Sequence, residues 1–114
     1  MSLPALVRQH LETKLSTYCQ QRIPLHMRDQ IRIGFKIRGN SVTLFEERPS
    51  FRDPSEWGTI AIAQMRYEQD ARTWKLFSTD RSSKWHAYRD LSPQRRLDAV
   101  LDEIDDDPTG IFWG

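Results

Sequence analysis

Five residues have side chains suited to acid–base or anion chemistry and stand near the ends of predicted strands. They are Glu46, Arg48, Asp80, Lys84 and His86. Carboxylates and a histidine can transfer protons, and a lysine or arginine beside them can hold an anionic substrate. If these side chains met in one cleft, they would suit a small hydrolase or nuclease.

The same part of the sequence also allows structural roles. Glu46 and Arg48 are two residues apart in a strand, so their side chains share one face and can form an ion pair. His86 shares a face with Lys84 and Tyr88, where it can bind phosphate or hydrogen-bond within the sheet. A histidine with no nucleophile or metal-ligand pattern beside it favours the structural role. We therefore expect no catalytic residue, no metal site and no cofactor.

A second candidate site is the basic face of the first predicted strand. Arg32, Lys36 and Arg38 alternate with apolar residues there, and Arg66 and Lys75 extend the face if neighbouring strands align. A sheet can hold single-stranded nucleic acid with phosphates on such cations and bases on interleaved aromatic rings. The aromatic signature of an RNA-recognition sheet is absent, and ordinary solvated antiparallel faces carry similar residues. Nucleic-acid binding is thus an alternative to plain solvation.

The charge of the chain is uneven, although its net value is only +1. Residues 1–89 contain 15 Lys and Arg against 9 Asp and Glu, a net charge of +6. Residues 90–114 contain 2 against 7, a net charge of −5. This asymmetry is typical of a chain with an oppositely charged partner, or of two solvated faces that attract one another within the fold. Asp105–Asp107 lies at a predicted helix C-terminus, where the macrodipole disfavours it, which indicates a basic partner surface.

Two amphipathic helices are predicted, one near each end of the chain. Ser2 can cap a helix that starts with Leu3 and Pro4 and reaches about Gln21. Ser92-Pro93 is a start signal for the second helix, which should end near residue 105. The apolar stripes are Leu3, Leu6, Val7, Leu11, Leu15, Tyr18 and Cys19 in the first helix and Leu97, Val100, Leu101 and Ile104 in the second. At least the first stripe should pack on a sheet.

Alternating apolar and polar residues predict an antiparallel meander of about five strands. The clearest run covers residues 31–38, and a two-residue Gly-Asn loop returns it into a strand over residues 41–48. Residues 59–67 are apolar on both faces and predict a strand near the middle of the sheet, covered on both sides. With residues 74–88 as a hairpin, the fold class is α+β: an antiparallel sheet with an N-terminal and a C-terminal helix packed on it.

The hairpin over residues 74–88 holds the largest apolar side chains. Trp74, Phe77, Trp85 and Tyr88 flank a polar turn, and each aromatic side chain can bury about 150–250 Å². We therefore expect these four residues to supply the largest share of the core. The apolar ending Ile111–Trp113 should fold back onto the domain, because it would otherwise lie in water.

Length and composition limit the class of protein. A chain of 114 residues indicates one domain, residues 1–114. The single Cys19 excludes an intramolecular disulfide and fits a reducing, cytoplasmic setting. No signal peptide and no run of about 20 apolar residues is present, so we expect a soluble protein without a membrane partner.

These landmarks resemble a small, mostly bacterial family, domain of unknown function 3024. The shared points are Arg22-Ile23-Pro24, Ile33–Ile37, Val42–Pro49, Trp74, Lys84–Tyr88 and Asp107–Gly114. Family members often end in Gly-Cys-Phe-Phe-Gly where this chain has Gly110-Ile111-Phe112-Trp113-Gly114. The resemblance therefore implies that the family's cysteine is dispensable here, and it implies no activity or catalytic residue.

These observations favour a non-catalytic binding or interaction module that uses the basic sheet face or the acidic C-terminal segment. The partner would be a nucleic acid or a protein. The small enzyme is one alternative. A homo-oligomer, joined through an exposed sheet edge or through the apolar tail, is another.

Overall fold

The computed structural model describes residues 2–113, which form one five-stranded antiparallel sheet with two helices on one of its faces. The elements are α1 (Ala5–Arg22), a 3₁₀ turn (Leu25–Met27), β1 (Arg32–Arg38), β2 (Ser41–Pro49), β3 (Trp57–Glu68), β4 (Thr73–Thr79), β5 (Trp85–Ala87) and α2 (Leu97–Asp106). The strands lie in the order β1-β2-β3-β4-β5, and each pairs antiparallel with the next. The predicted α+β class and the meander are confirmed.

The β1–β2 loop consists of Gly39 and Asn40, as predicted. Gly39 has φ +60°, a backbone conformation that a tight hairpin needs and that glycine adopts without steric cost. The Asn40 side chain donates a hydrogen bond to the Tyr67 carbonyl (3.0 Å), and the Tyr67 N–H donates to the Asn40 carbonyl (2.9 Å). This short hairpin is therefore tied to the end of β3.

The core lies between the helices and one face of the sheet. Its largest fully buried side chains are Leu11 and Leu15 from α1, Val100 and Ile104 from α2, and Val42, Leu44, Met65 and Leu76 from the strands. The two helices are also joined to each other, because Lys14 pairs with Asp98 (3.1 Å) and the Tyr18 hydroxyl donates to Asp105 (2.7 Å). Both helices cover the same face, so within residues 2–113 the opposite face of the sheet carries no layer of helices.

The prediction that β3 is covered on both sides is wrong, although its central position is confirmed. The register between β2 and β3 shifts between Leu44 and Phe45, so that Ala61 pairs with Phe45 and Ala63 with Leu44. Ile62 is the extra residue of this β-bulge and joins Ala63 in the core. Because a bulge interrupts strict alternation, a run of consecutive apolar residues here does not require two covered faces.

The predicted aromatic core is half correct. Trp74 and Tyr88 are buried against the helices, and the Trp74 ring packs on Tyr67 with centroids 4.9 Å apart. Phe77 pairs with Ala87, and Trp85 pairs with Thr79, which places both aromatic rings on the other face of the sheet. Because side chains alternate between the two faces of a strand, these four aromatic residues are divided between both faces of the sheet. Only one of these faces is covered by helices.

Both helices start later than predicted. The first begins at Ala5 with Pro4 in the capping position, and Ser2 makes no cap. The second begins at Leu97, because the backbone of Gln94 exchanges two hydrogen bonds with Trp74 (2.7 and 2.9 Å) and extends the edge of the sheet. Backbone groups already bonded to a strand cannot also bond within a helix. The Ser92-Pro93 start signal is therefore overridden.

The apolar tail folds back, as predicted. Phe112 is buried against Tyr88, with ring centroids 5.2 Å apart, and the Arg22 guanidinium lies over the Trp113 ring at 4.4 Å. The carboxylate of Asp107 accepts hydrogen bonds from the backbone N–H groups of Phe112 (2.9 Å) and Trp113 (2.8 Å). Two of the three residues in the acidic run thus have partners within the fold, Asp105 and Asp107, which is a different explanation from the predicted basic partner surface.

Across residues 2–113, none of the helices has the length and the apolar composition that would let it cross a bilayer.

Candidate functional site

The side of the sheet that faces away from the helices is called the open face here. A shallow depression of about 1020 Å³ covers much of it, from β1 to β5. Its floor is built from small side chains, Ser41, Thr43, Thr59 and Ala61. Larger charged and aromatic side chains rise around this floor. The open face therefore presents a depression with a low floor between larger charged and aromatic side chains.

Three cations lie in one line across this face. The register pairs Arg38 with Ser41, Ser41 with Arg66 and Arg66 with Lys75, so these four residues form a row across β1 to β4. Neighbouring strands are about 4.8 Å apart, which gives the row a length of about 14 Å. We call Arg38, Arg66 and Lys75 the cation row.

A second row lies beside the cation row, two residues further along each strand. It runs Lys36, Thr43, Gln64, Phe77 and Ala87, one residue from each of the five strands. Lys36 adds a fourth cation to this side of the sheet. The predicted placement of Lys36, Arg38, Arg66 and Lys75 on one face agrees with the register.

Arg32 also lies on the open face, at its far end. Its guanidinium is 4.0 Å from the centre of the Trp57 ring, and its strand position pairs with Glu47. The register places two acidic residues on this face, Glu47 and Glu68. The face also carries five cations: Arg32, Lys36, Arg38, Arg66 and Lys75. The open face therefore has a formal net charge of +3, and anions are attracted to it.

Besides Trp57 beneath Arg32, the open face carries three aromatic rings, Phe45, Phe77 and Trp85. Phe45 rests on the backbone of Gly34, where an added Cβ would lie only 2.9 Å from the ring. Glycine at this position thus leaves room for the ring to lie against the adjacent strand. Phe45 and Trp85 are half-buried and line the depression, whereas Phe77 is buried beneath Arg66 and Lys75.

Arg66 is held by two neighbours, Phe77 and Gln64, and Gln64 is held in turn by Thr43. Its guanidinium lies 3.8 Å from the centre of the Phe77 ring, and its Nε donates a hydrogen bond to Gln64 Oε1 (2.7 Å). Gln64 in turn donates from Nε2 to Thr43 Oγ1 (3.0 Å). Phe77 is opposite Gln64 in the register, so the guanidinium crosses diagonally to the neighbouring strand. This chain of contacts gives Arg66 one orientation on an otherwise exposed surface.

Glu46 and Arg48 lie on the helix side of β2, near the end of the sheet. They form an ion pair in which the Glu46 carboxylate is largely buried and Arg48 is exposed. Leu44 precedes them on the same side and belongs to the core. A partly buried carboxylate needs such a partner, because burial without one destabilises the charged form.

His86 and Asp80 form a second pair at the β4–β5 turn. His86 Nε2 is 2.6 Å from Asp80 Oδ2, and the backbone N–H groups of Ser82 and Lys84 donate to Asp80 Oδ1. The hydrogen bond with His86, followed by that from the Lys84 backbone, holds the pKa of Asp80 below its ordinary value. This carboxylate organises the turn. Tyr88 is directed elsewhere, since its hydroxyl donates to Glu103 (2.6 Å).

The structure does not bring these two pairs together. Glu46 and Arg48 are on β2, whereas His86 is on β5, with β3 and β4 between them. Three strand spacings amount to about 14 Å, too far for groups that must act on one reacting centre. The five residues that would suit a small enzyme thus form one ion pair, Glu46 with Arg48, and one separate hydrogen-bonded pair, Asp80 with His86, with Lys84 exposed at the turn.

Cys19 is a half-buried free cysteine in α1. Burial raises the pKa of the Cys19 thiol to about 11, so the thiolate is scarce at neutral pH. Within residues 2–113, no three side chains of His, Cys, Asp and Glu lie close enough together to hold a metal ion.

Members of the open face that sequence reasoning did not assign to the candidate site include Thr43, Phe45, Gln64 and Trp85. Alternation within each strand places Thr43 and Phe45 opposite the buried Val42 and Leu44, so the pattern contained this information. The position of Gln64 could not be predicted without the bulge. In an unbroken strand Gln64 and Ile62 would lie on the same face, whereas the bulge puts Ile62 in the core and Gln64 on the open face. Trp85 was assigned to the core because of its size.

This arrangement defines a class of protein: a two-layer α+β domain with a meander sheet, one face covered by helices and the other solvent-facing and basic. The sequence matches the family described as Domain of unknown function (DUF3024) over residues 3–114. The chain belongs to this family. Comparison with curated proteins and with solved structures found no match.

Proposed function

We propose that this domain is a non-catalytic module that binds single-stranded nucleic acid on its open face. The observation that carries the proposal is the cation row, Arg38, Arg66 and Lys75, which stands in register across four strands beside a depression lined by aromatic rings. Phosphates and bases each have a suitable partner there. No other part of residues 2–113 is needed for the proposed contact.

The charge of the open face complements a nucleic-acid backbone. The five cations outnumber the two carboxylates, so the open face attracts a polyanion. The side chains of Lys36 and Arg38 are exposed on the edge strand β1. Contacts between cations and phosphates release condensed counterions, which makes such binding favourable and dependent on salt. We expect the backbone of the ligand to follow the cation row across the strands.

The rings supply the second type of contact. Phe45 and Trp85 line the depression on β2 and β5, and small residues such as Ala61 lie between them. A base stacked on an aromatic side chain contributes about 1–3 kcal/mol and any base can do so. The module should therefore show little sequence preference.

Stacking on these rings favours single strands over duplexes. In a duplex the bases are stacked on one another and their flat surfaces are not accessible, whereas unpaired bases can turn towards a protein ring. A duplex would keep only its phosphate contacts with the open face. We expect weaker binding of the duplex at the same salt concentration.

A charge-reversal variant tests the proposal. Lys36→Glu combined with Arg38→Glu should weaken binding of a short fluorescent single-stranded DNA or RNA at least about tenfold, because phosphate contacts are replaced by repulsion. The slope of log K against log salt should become shallower by about 1.4, the value for two phosphate contacts on a single strand. Fluorescence anisotropy at 50 and 150 mM salt gives both quantities.

The matched control is Arg8→Glu combined with Arg95→Glu. Both residues lie on the helix side, since Arg8 is in α1 and Arg95 lines a groove beside α1, and the net charge changes by the same amount. The control should retain wild-type affinity. Equal losses in both variants would mean that only overall charge matters, and no binding by the wild-type protein at 50 mM salt would reject the proposal.

A further inference from the structure

We propose that Arg66 forms a preorganised phosphate subsite on the open face and that Gln64 and Thr43 are its positioning residues. This inference rests on the proposed function and identifies the side chain that holds the ligand in place. It differs from general attraction by a basic surface, because it depends on two uncharged side chains, Gln64 and Thr43, that orient the guanidinium.

Burial separates Arg66 from the other cations of the open face. Lys36 and Arg38 are exposed on the edge strand, whereas Arg66 is half-buried in the central strand. Its guanidinium is stacked on Phe77, and its Nε is bonded to Gln64. A side chain that is already ordered loses less rotamer freedom when a ligand binds, so more of the contact appears as affinity.

The Nε–H group of Arg66 is the donor that faces inward to Gln64, which leaves the terminal amino groups of the guanidinium to face the ligand. These groups form a planar fork that matches two phosphate oxygens. Lys75 is the register partner of Arg66, and Arg38 follows Ser41 on the other side. A phosphate bound at Arg66 would thus have a flexible cation on each side.

The orientation depends on a relay of two hydrogen bonds. Thr43 Oγ1 accepts from Gln64 Nε2, which fixes the amide so that Gln64 Oε1 points to Arg66. Without the threonine hydroxyl the amide loses one of the two contacts that set its orientation. Thr43 can therefore influence phosphate binding although it carries no charge and is on a different strand.

Charge-neutral variants test the relay. We expect Gln64→Leu and Thr43→Val each to weaken single-stranded oligonucleotide binding by about three- to tenfold, the cost of ordering one long side chain on binding. The slope of log K against log salt should stay unchanged, because no charge is lost. Arg66→Gln should instead make the slope shallower by about 0.7, the value for one phosphate contact.

Thr73→Val is the matched control for Thr43→Val. Thr73 is a half-buried strand threonine outside the depression, and its hydroxyl takes no part in the relay. The substitution removes the same group from the same sheet and should leave affinity within twofold. If both threonine variants weaken binding equally, or if neither Thr43→Val nor Gln64→Leu weakens it, the relay has no positioning role and the inference is wrong.

Titration with inorganic phosphate separates this inference from the proposed function. The Arg66 Nε–H resonance, assigned by its loss in Arg66→Gln, should shift with phosphate in the wild type and shift less in Gln64→Leu. A shift without oligonucleotide binding would keep the subsite and reject the nucleic-acid function. Oligonucleotide binding without any effect of phosphate on this resonance would reject the subsite and keep the function.

Discussion

Replacing Phe112 with alanine should lower the free energy of unfolding by about 3–5 kcal/mol, the range for removing a buried aromatic side chain. The Phe112 side chain is 5% exposed, and its ring packs on Tyr88, which itself contacts α2 through Glu103. Loss of the ring leaves a cavity where the tail, β5 and α2 meet. Urea denaturation, read from the midpoint at unchanged slope, measures the effect.

Ile111→Ala is the control, since Ile111 precedes Phe112 in the same tail and is 46% exposed. We expect a loss below about 1 kcal/mol, because little apolar area is removed from contact. If Phe112→Ala does not fold, Phe112→Leu should show a smaller loss in the same direction. Equal stabilities of the two alanine variants would contradict the docking of the tail.

High pH should destabilise the protein, starting near pH 9 and becoming steeper above pH 10. Burial raises the pKa of Cys19 from 9.0 to about 11. Burial, and next a hydrogen bond with Asp105 for Tyr18 and with Glu103 for Tyr88, raises the pKa of both tyrosines well above 10.0. Above the ordinary value of each pKa the unfolded chain releases protons that the folded chain keeps, so deprotonation favours unfolding.

The stability contributed by these groups is fully present below pH 9 and is lost as pH rises towards their folded pKa values. Each group held protonated contributes a slope of up to about 1.4 kcal/mol per pH unit, and solvent screening lowers the share of half-exposed Tyr18. Urea denaturation at pH 8, 9, 10 and 11 measures the fall. Tyr88→Phe should flatten the curve above pH 10, and a stability constant from pH 8 to 11 would contradict the prediction.

The strands and helices follow from local patterns in the sequence. Residues 31–38 alternate strictly, and Gly39-Asn40 suits a two-residue turn, so the first hairpin could be located without the fold. The stripe Leu97, Val100, Leu101 and Ile104 likewise predicted the buried face of α2. Such patterns are readable because side-chain direction repeats every two residues in a strand and about every 3.6 in a helix.

Local patterns fail where a distant backbone competes. Gln94 pairs with Trp74 across twenty residues, which delays α2 beyond the Ser92-Pro93 signal. The bulge at Ile62 depends on how β3 meets β2, and Asp107 gains its role only when the tail returns to it. None of these contacts is between sequence neighbours.

The candidate site likewise depends partly on local sequence patterns and partly on contacts between distant segments. Alternation put Arg32, Lys36 and Arg38 on one face of their strand, and the sequence alone was enough to predict a basic surface. Whether Arg66 and Lys75 joined it, and whether Phe77 and Trp85 faced the core or the open face, depended on the register between strands and on the position of both helices. Periodicity tells which residues share a face, whereas the packing of distant elements determines which face is covered and which side chains meet there.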